Sequence, residues 1–291
     1  MKYDATIVIP TYNRDFLLDL TLNSITKTKI SKYSYEVIVV DDGSNDNTSE
    51  VVKHYESKLN IKYFFQENKG FRVAKARNVG IDNAEGRIII FLDCGILFSS
   101  YAIESHIKTH DESKEDIATI GYVLGYDDFN IHQEKIENIL NTECIDDCIT
   151  EMLNKELFDM REPLYRELGD DLTKWPAPWC VCWTGNFSVS KKTMEECGGF
   201  DETFTTWGGE DTDMGINLYT KGVNLILSRE AVGVHYPHEK EKILVSREEM
   251  QSRTKEKRKY MYNKYHLESI RIWIETNTFD LNQKILQNNA T

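Results

Sequence analysis

ATIVIPTYNR, Ala5 to Arg14, is an unbroken apolar run that stops at a proline and opens into a polar cluster. Strands buried on both faces have this continuous apolar character, unlike the alternating strands of a half-exposed sheet. Three more such runs follow: EVIVV (36–40), IKYFF (61–65) and RIIIFL (87–92). Between them lie segments of helical period. One starts near Asp15 and carries Leu18, Leu22 and Ile25 on a face; a second carries Val51, Val52, Tyr55 and Leu59; a third falls near 71–84. Strands and helices alternating at this interval predict an α/β fold, a mostly parallel Rossmann-like sheet with helices on both faces.

Polar residues stand at the carboxyl ends of these strands. Thr11, Tyr12, Asn13 and Arg14 come after the first, Asp41, Asp42 and Gly43 after the second, and Asp93 after IIIFL. Ligands of open parallel sheets bind beyond the carboxyl ends of the strands, so these clusters mark one candidate site. A nucleotide is the natural occupant. Neither G-x-G-x-x-G nor the P-loop pattern comes after the first strand, which argues against a dinucleotide dehydrogenase and a P-loop enzyme.

Composition narrows the classes further. The 291 residues suit one large domain or two intimately packed parts, and 40% hydrophobic content is enough for a sizeable core. A net charge of −13 argues against nucleic acid as a partner. The start MKYDATIVIP does not read as a signal peptide, and no apolar run approaches the roughly 20 residues of a membrane helix. The expectation is a cytoplasmic protein with at most peripheral membrane contact. Six cysteines (94, 144, 148, 180, 182 and 197) lack zinc-site spacing and read as reduced, mostly buried thiols.

The second half is less periodic. TECIDDCITEMLNKELFDMREPLYRELGDD (142–171) reads as helical with a solvated acidic face, and WPAPWCVCWTGNFSVS (175–190) as a loop entering a strand. VNLILS (223–228) and AVGVHY (231–236) read as two further strands. From Glu239 to about Tyr265 a charged helix is expected, its basic patch RTKEKRKYMYNKYH more a solvated face than a contact; the tail QKILQNNAT reads as frayed. Expected divisions are a nucleotide-binding half over 1–98, an acceptor and catalytic half over 99–238, and a helical extension over 239–291.

TTWGGEDTDMG (205–215) crowds Glu210, Asp211 and Asp213 behind a Trp and two glycines. Such acids repel unless a helix end, a cation or a substrate compensates. One reading has Asp211 or Thr212 capping a helix that Gly222 ends.

IVIPTYNR, VIVVDDGSNDNT, NKGFRVAKARNVGIDNAEGRIIIFLD and CWTGNFSVSKKTMEECGGFDETFTTWGGEDTDMG occur in that order. Over roughly 3–95 and 180–238 the chain resembles GT-A-fold glycosyltransferases of family 2. Its second half is similar to the carboxyl-terminal region of galactosyltransferases, polypeptide N-acetylgalactosaminyltransferases and chondroitin polymerases. The resemblance implies inverting transfer of a hexose or N-acetylhexosamine from a UDP-sugar to an acceptor hydroxyl on a glycan, peptide or small molecule. It implies a donor site made of Thr11, Tyr12, Asn13, Arg14, Asp42, Arg77, Asp93, Trp207, Gly208 and Gly209. Asp42 would accept the imide N–H of uracil, while Asp41 or Ser44 serves the turn. Arg77 would stand near the diphosphate, with Arg72 and Lys75 as competitors. Asp211 would be the catalytic base, with Glu210 holding sugar hydroxyls; a base that also caps its helix is consistent with both readings.

The resemblance further implies Mn²⁺ or Mg²⁺ on an Asp-x-Asp pair, but here the string is FLDCGI, with Gly95 in the second position. Asp93 and His235 remain as ligands, with His238 as an alternate. The alternative is a catalytically degenerate sugar-nucleotide-binding module, motivated by that missing acid.

Overall fold

The computed structural model describes residues 1–126, 132–238 and 247–289. In chain order the elements are β1 (Tyr3–Thr11), α1 (Asp15–Thr26), β2 (Tyr35–Asp41), α2 (Thr48–Tyr55), β3 (Ile61–Phe65), α3 (Val73–Asn83), β4 (Gly86–Leu92) and β5 (Ile96–Phe98). Then come α4 (Ala102–Glu112), β6 (Ile117–Leu124), α5 (Gln133–Ile139), α6 (Ile145–Asn154), α7 (Glu162–Leu168), β7 (Asn186–Ser190) and α8 (Lys191–Cys197). The chain continues through α9 (Glu210–Thr220), β8 (Asn224–His235), α10 (Arg247–Tyr265), α11 (Glu268–Ile274) and α12 (Leu281–Asn289).

All the strands of the described residues share one sheet, ordered β3-β2-β1-β4-β7-β6-β8-β5. The first four run parallel, as the apolar runs predict; β7 enters antiparallel between β4 and β6, and β6 pairs parallel with β8. Side chains of β1 alternate between the two cores: Ile7 and Ile9 pack with Leu18, Leu22 and Ile25 of α1, while Val8 packs with Ala74 and Ala76 of α3. Each such buried aliphatic side chain contributes about 2 kcal/mol of transfer free energy, which is why a parallel sheet requires both faces covered.

Several expectations need correction. The acidic stretch 142–171 is not one helix: α6 ends at Asn154, Glu156 takes a left-handed φ of 58°, and α7 starts afresh at Glu162. The two expected strands over 223–236 are one, β8, whose pairing with β6 skips from Ser228 to Val232. Arg229, at that irregularity, pairs with Glu162 and Asp170. β6 and α4 lie where no element was placed; a fully buried strand such as IATIGYVL carries no period that separates it from a helix. The tail is helical through Asn289, with Leu281 and Ile285 buried against the core. Of the helix expected from Glu239, residues 239–246 lie outside the described residues, as do 290 and 291 of the tail.

The cysteines are all unpaired, with Cys94, Cys148, Cys180 and Cys182 buried. No helix among the described residues is long and apolar enough to cross a membrane.

A buried polar chain fixes α4 to the sheet. His106 bonds Asn186 Oδ1 through Nε2 (2.7 Å) and Ser188 Oγ through Nδ1 (2.9 Å), and His110 Nε2 bonds the same hydroxyl (3.0 Å). Asn186 Nδ2 donates to the Ala231 carbonyl, so its oxygen faces His106 and imposes the Nε2–H tautomer. Two residues of the Gly-Asn-Phe-Ser string thus serve strand and helix attachment.

Burial pushes the His106 imidazole down to about 4. A depressed histidine stabilises the fold above its unfolded value of about 6.5 and loses that contribution as pH falls toward 4. Urea unfolding is therefore expected to show His106 costing on the order of 2 kcal/mol between pH 7 and pH 5. H106Q, weaker at pH 7, is expected to have a correspondingly flatter pH dependence; equal slopes in the two proteins would refute the assignment.

Candidate active site

Arg77 stands at the centre of the site. It lies on α3 with its side chain 2% exposed, and its guanidinium meets three carboxylates from two distant parts of the chain. Nη2 donates to Asp93 Oδ1 at 3.0 Å; Nη1 donates to Asp211 Oδ1 at 3.0 Å and Glu210 Oε1 at 3.3 Å. Asp93 leaves the end of β4, whereas Glu210 and Asp211 open α9. Exposure separates the three acids: the Glu210 side chain is 6% exposed, Asp211 25% and Asp93 47%. The last two are the ones a ligand can reach.

The helix-capping reading of Asp211 is corrected by this geometry. Helix α9 begins at Glu210, its N-cap is Gly209, and the cap has no side-chain hydrogen bond. The Asp211 carboxylate instead takes the Thr184 hydroxyl and the arginine on Oδ1, which leaves Oδ2 without a side-chain donor among the described residues. Asp213 is structural: buried, it pairs with Lys264 of α10 at 2.9 Å.

One guanidinium cannot balance three ionised carboxylates, and the excess shows in their titration. Burial, followed by the neighbouring Asp211 charge, raises the Glu210 carboxyl; burial also raises Asp211, against the pull of Arg77. Glu210 Oε2 is buried without a hydrogen-bond partner. Such a site attracts cations and hydroxyl donors and repels a bare diphosphate.

The strand-end loops form the neighbouring part. Asp41 serves its turn, as expected for one of that pair: Oδ1 accepts from the N–H groups of Gly43 and Ser44, and Oδ2 from the Tyr63 hydroxyl. Asp42 accepts Gln66 Nε2 and Arg72 Nη2 on Oδ1, both at 2.7 Å, and Arg72 N–H on Oδ2 at 2.9 Å. A carboxylate offers about four acceptor positions, so one remains on Oδ2. Arg72 is thereby tied to Asp42, and Lys75 is exposed. Thr11 is buried with its hydroxyl at Cys94, and the Tyr12 hydroxyl accepts from Asn68. Asn13, with φ of 48°, fastens two loops: its N–H reaches Ser44 Oγ and its Oδ1 takes the Asn45 N–H.

Arg14 Nη1 lies 2.9 Å from His238 Nε2, and His238 Nδ1 lies 3.0 Å from the Tyr236 carbonyl. Arginine only donates, so Nδ1 carries the proton and both nitrogens of His238 are engaged. His235 ends β8 opposite Ile96, next to the Asp93–Gly95 turn, and its ring packs 4.9 Å from Tyr126 and 5.1 Å from His238. Gly95 has φ of 101° in that turn, accepts Tyr236 N–H and donates to Thr21. Among the described residues no three His, Cys, Asp or Glu side chains cluster closely enough to hold a metal.

Trp207 stands at the mouth, 62% exposed. A cavity of about 690 Å³ opens beside Tyr126, lined by residues including His132, Phe158, Arg166 and Glu167. Tyr126 also meets Trp183, the neighbour of Thr184. Sequence reasoning missed Thr184 and Lys257, which bonds the carbonyls of Thr206, Trp207 and Gly208. Thr184 stood beside the Gly-Asn-Phe-Ser string without a distinguishing pattern, and Lys257 was one lysine of a basic patch.

Comparison with known proteins agrees with this architecture. Validoxylamine A glucosyltransferase of Streptomyces hygroscopicus subsp. limoneus is 39% identical over 236 residues, 81% of this chain and 52% of the relative. Chondroitin synthase of Pasteurella multocida is 34% identical over 225 residues, 75% of this chain and 23% of the relative. The chain thus spans about half the length of the first relative and less of the second. Staphylococcus aureus TarS in complex with UDP-GlcNAc superposes with a TM-score of 0.66 at 18% identity, covering 97% of this chain and 74% of that one. The mannosyltransferase PcManGT of Pyrobaculum calidifontis, solved with GDP-Man and Mn²⁺, gives 0.61 at 16% identity, covering 100% and 76%. These likenesses show the GT-A fold. Residues 167–244 match the N-terminal domain of galactosyltransferase, residues 6–192 match glycosyl transferase family 2, and the chain belongs to that family.

Proposed function

We propose that the chain is an inverting glycosyltransferase that moves a hexose or N-acetylhexosamine from a UDP-sugar to an acceptor hydroxyl. The observation that carries this reading is the convergence at Arg77 of the strand-end Asp93 and the helix-start pair Glu210 and Asp211. Relatives that are a glucosyltransferase and a synthase of chondroitin, and a structural neighbour solved with UDP-GlcNAc, support the substrate class.

The chemistry rests on the exposed oxygens. The acceptor hydroxyl attacks the anomeric carbon as the bond from that carbon to the UDP oxygen breaks, and the hydroxyl proton passes to Asp211 Oδ2. Thr184 and Arg77 occupy Oδ1, which holds the carboxylate in one orientation and keeps Oδ2 available. Glu210, buried out of a ligand's reach, acts through Arg77, whose Nη1 it shares with Asp211, rather than on a sugar hydroxyl. Asp42 takes the imide N–H of the base on its remaining position, and the exposed Trp207 face lies under the sugar. The cavity beside Tyr126 receives the acceptor, a saccharide, peptide or small molecule.

The donor set suits a hard divalent ion. Asp93 supplies a half-exposed carboxylate, His235 an imidazole at the adjacent strand end, and the excess of carboxyls over the one guanidinium favours a cation. Asp93 and His235, with His238 as an alternate, would hold Mn²⁺ or Mg²⁺ beside the donor. When bound, the ion neutralises the charge developing on the leaving UDP.

D211N is expected to lower kcat at least 10²-fold while UDP affinity by calorimetry changes less than threefold, because a positioned base contributes about 10²–10⁴. Retained transfer would remove Asp211 from the mechanism. Turnover is expected to stop with EDTA and return with Mn²⁺; undiminished activity in chelator would exclude the cation.

R77M is expected to lose about 3–5 kcal/mol at pH 7, the usual cost of leaving buried charges unpaired. Without the guanidinium, Glu210 and Asp211 are pushed higher still. An acid raised in the folded state keeps its stability below its unfolded value and loses it as pH rises. The deficit in urea unfolding should thus grow from pH 5 to pH 8; a deficit independent of pH would mean that Arg77 contributes packing alone.

A further inference from the structure

The loop Thr206–Gly209 brings three carbonyl oxygens toward one point. Gly208 and Gly209 have φ of 83° and 102°, values that side chains disfavour, and they turn the peptide units so that successive carbonyls do not splay apart. Converging carbonyl dipoles repel unless a donor group fills the focus. Lys257 fills it: Nζ lies 3.0 Å from the Thr206 oxygen, 2.7 Å from Trp207 and 2.7 Å from Gly208. An ammonium has three N–H donors on a tetrahedral nitrogen, which matches three oxygens; the flat fork of arginine does not.

Lys257 lies on α10, beyond both family matches, which end at residues 192 and 244. The same helix grips the structure on either side of that loop. Tyr260 packs edge-on against Phe204 at 5.7 Å and bonds Asp201, and Lys264 pairs with Asp201 and Asp213. The Lys257 stem also lies against Gly209, where an added Cβ would stand 3.2 Å from its Cδ. Everything held this way leads into Glu210 and Asp211.

Resting on the transferase reading, we propose that Lys257 is a positioning residue: its ammonium sets the Trp207–Gly209 backbone, and with it the Trp207 ring and the start of α9, in the arrangement that receives the donor sugar. Its reach ends at the loop and the first residue of α9. Arg77 and Thr184 still orient the Asp211 carboxylate, and the base site around Asp42 lies on other elements.

The test compares wild type, K257M, which keeps the stem and removes the donors, and K257R, which keeps the charge and changes its shape. Steady-state kinetics would use UDP-glucose, UDP-N-acetylglucosamine and UDP-galactose with Mn²⁺, alongside UDP calorimetry and hydrogen exchange of residues 205–211. In folded K257M, kcat is expected to fall at least tenfold and donor KM to rise, UDP affinity to stay within twofold, and exchange in the loop to rise at least tenfold. K257R is expected to recover little. Unchanged loop exchange in K257M overturns the proposal, as does an unchanged kcat or full recovery by K257R. If wild type itself turns over none of the donors, the transferase reading fails separately, and loop exchange alone decides the positioning role. Should K257M not fold, K257Q replaces it; failure of both to fold overturns positioning in favour of a core structural role.

Discussion

The Arg77 guanidinium is the constraint on which the rest of the site depends. A buried arginine needs acceptors for its donors, and here Asp93, Glu210 and Asp211 serve Nη1 and Nη2, while Nε is buried without a partner. Asp93 is delivered by the parallel part of the sheet, and the other two by a helix more than a hundred residues later. Three carboxylates could not approach this closely by themselves, since like charges within a few ångströms destabilise one another strongly outside bulk water. The arginine permits the approach without cancelling it. What remains is an acidic focus with one carboxylate oriented and partly exposed, one buried and raised, and one presented at the rim.

This arrangement also explains why α3 is where it is. Gly80 lies against Val8, where an added Cβ would meet the valine methyl at 2.3 Å, so helix and first strand approach more closely than side chains normally allow. Arg77, one turn earlier, is thereby carried under the sheet end. Phe200 covers the guanidinium from the other side at 5.2 Å. The Gly-Gly-Phe-Asp string thus contributes Phe200 to the arginine's apolar cover and Asp201 to the grip of α10.

The parallel half of the fold was legible in the sequence because burial on both faces writes itself as unbroken runs such as ATIVI and RIIIFL. The antiparallel insertion was not: β6 is equally apolar but the helix after it, α5, is only seven residues long, and β8 hides a three-residue slip behind a turn-like SRE. For the site, residue types were readable and partners were not. Asp93, Glu210 and Asp211 were recognisable as candidates, yet nothing in NKGFRVAKARNVG says that Arg77 faces carboxylates rather than phosphate. Arg14, Arg72 and Arg77 are alike in sequence; only the fold shows that one serves His238, one Asp42 and one the acidic focus. Thr184 and Lys257 act through a single hydrogen-bonding geometry each, which leaves no periodic trace.

The glycine at position 95 illustrates how a departure from a family pattern can be structural in origin. At φ of 101° the chain reverses within three residues, so that Ile96 N–H returns to the Asp93 carbonyl and β5 can start at once. The peptide of Gly95 then ties two elements: its N–H goes to Thr21 of α1 and its carbonyl takes Tyr236 N–H from the end of β8. An aspartate there would carry the usual penalty of an L side chain in this region, on the order of 1 kcal/mol or more. The turn that disfavours a second acid is the same turn after which Ile96 pairs with His235 across β5 and β8. The second position of the pattern is thus occupied by a residue whose conformation and backbone bonds, to α1 and to the chain leaving β8, account for a glycine there.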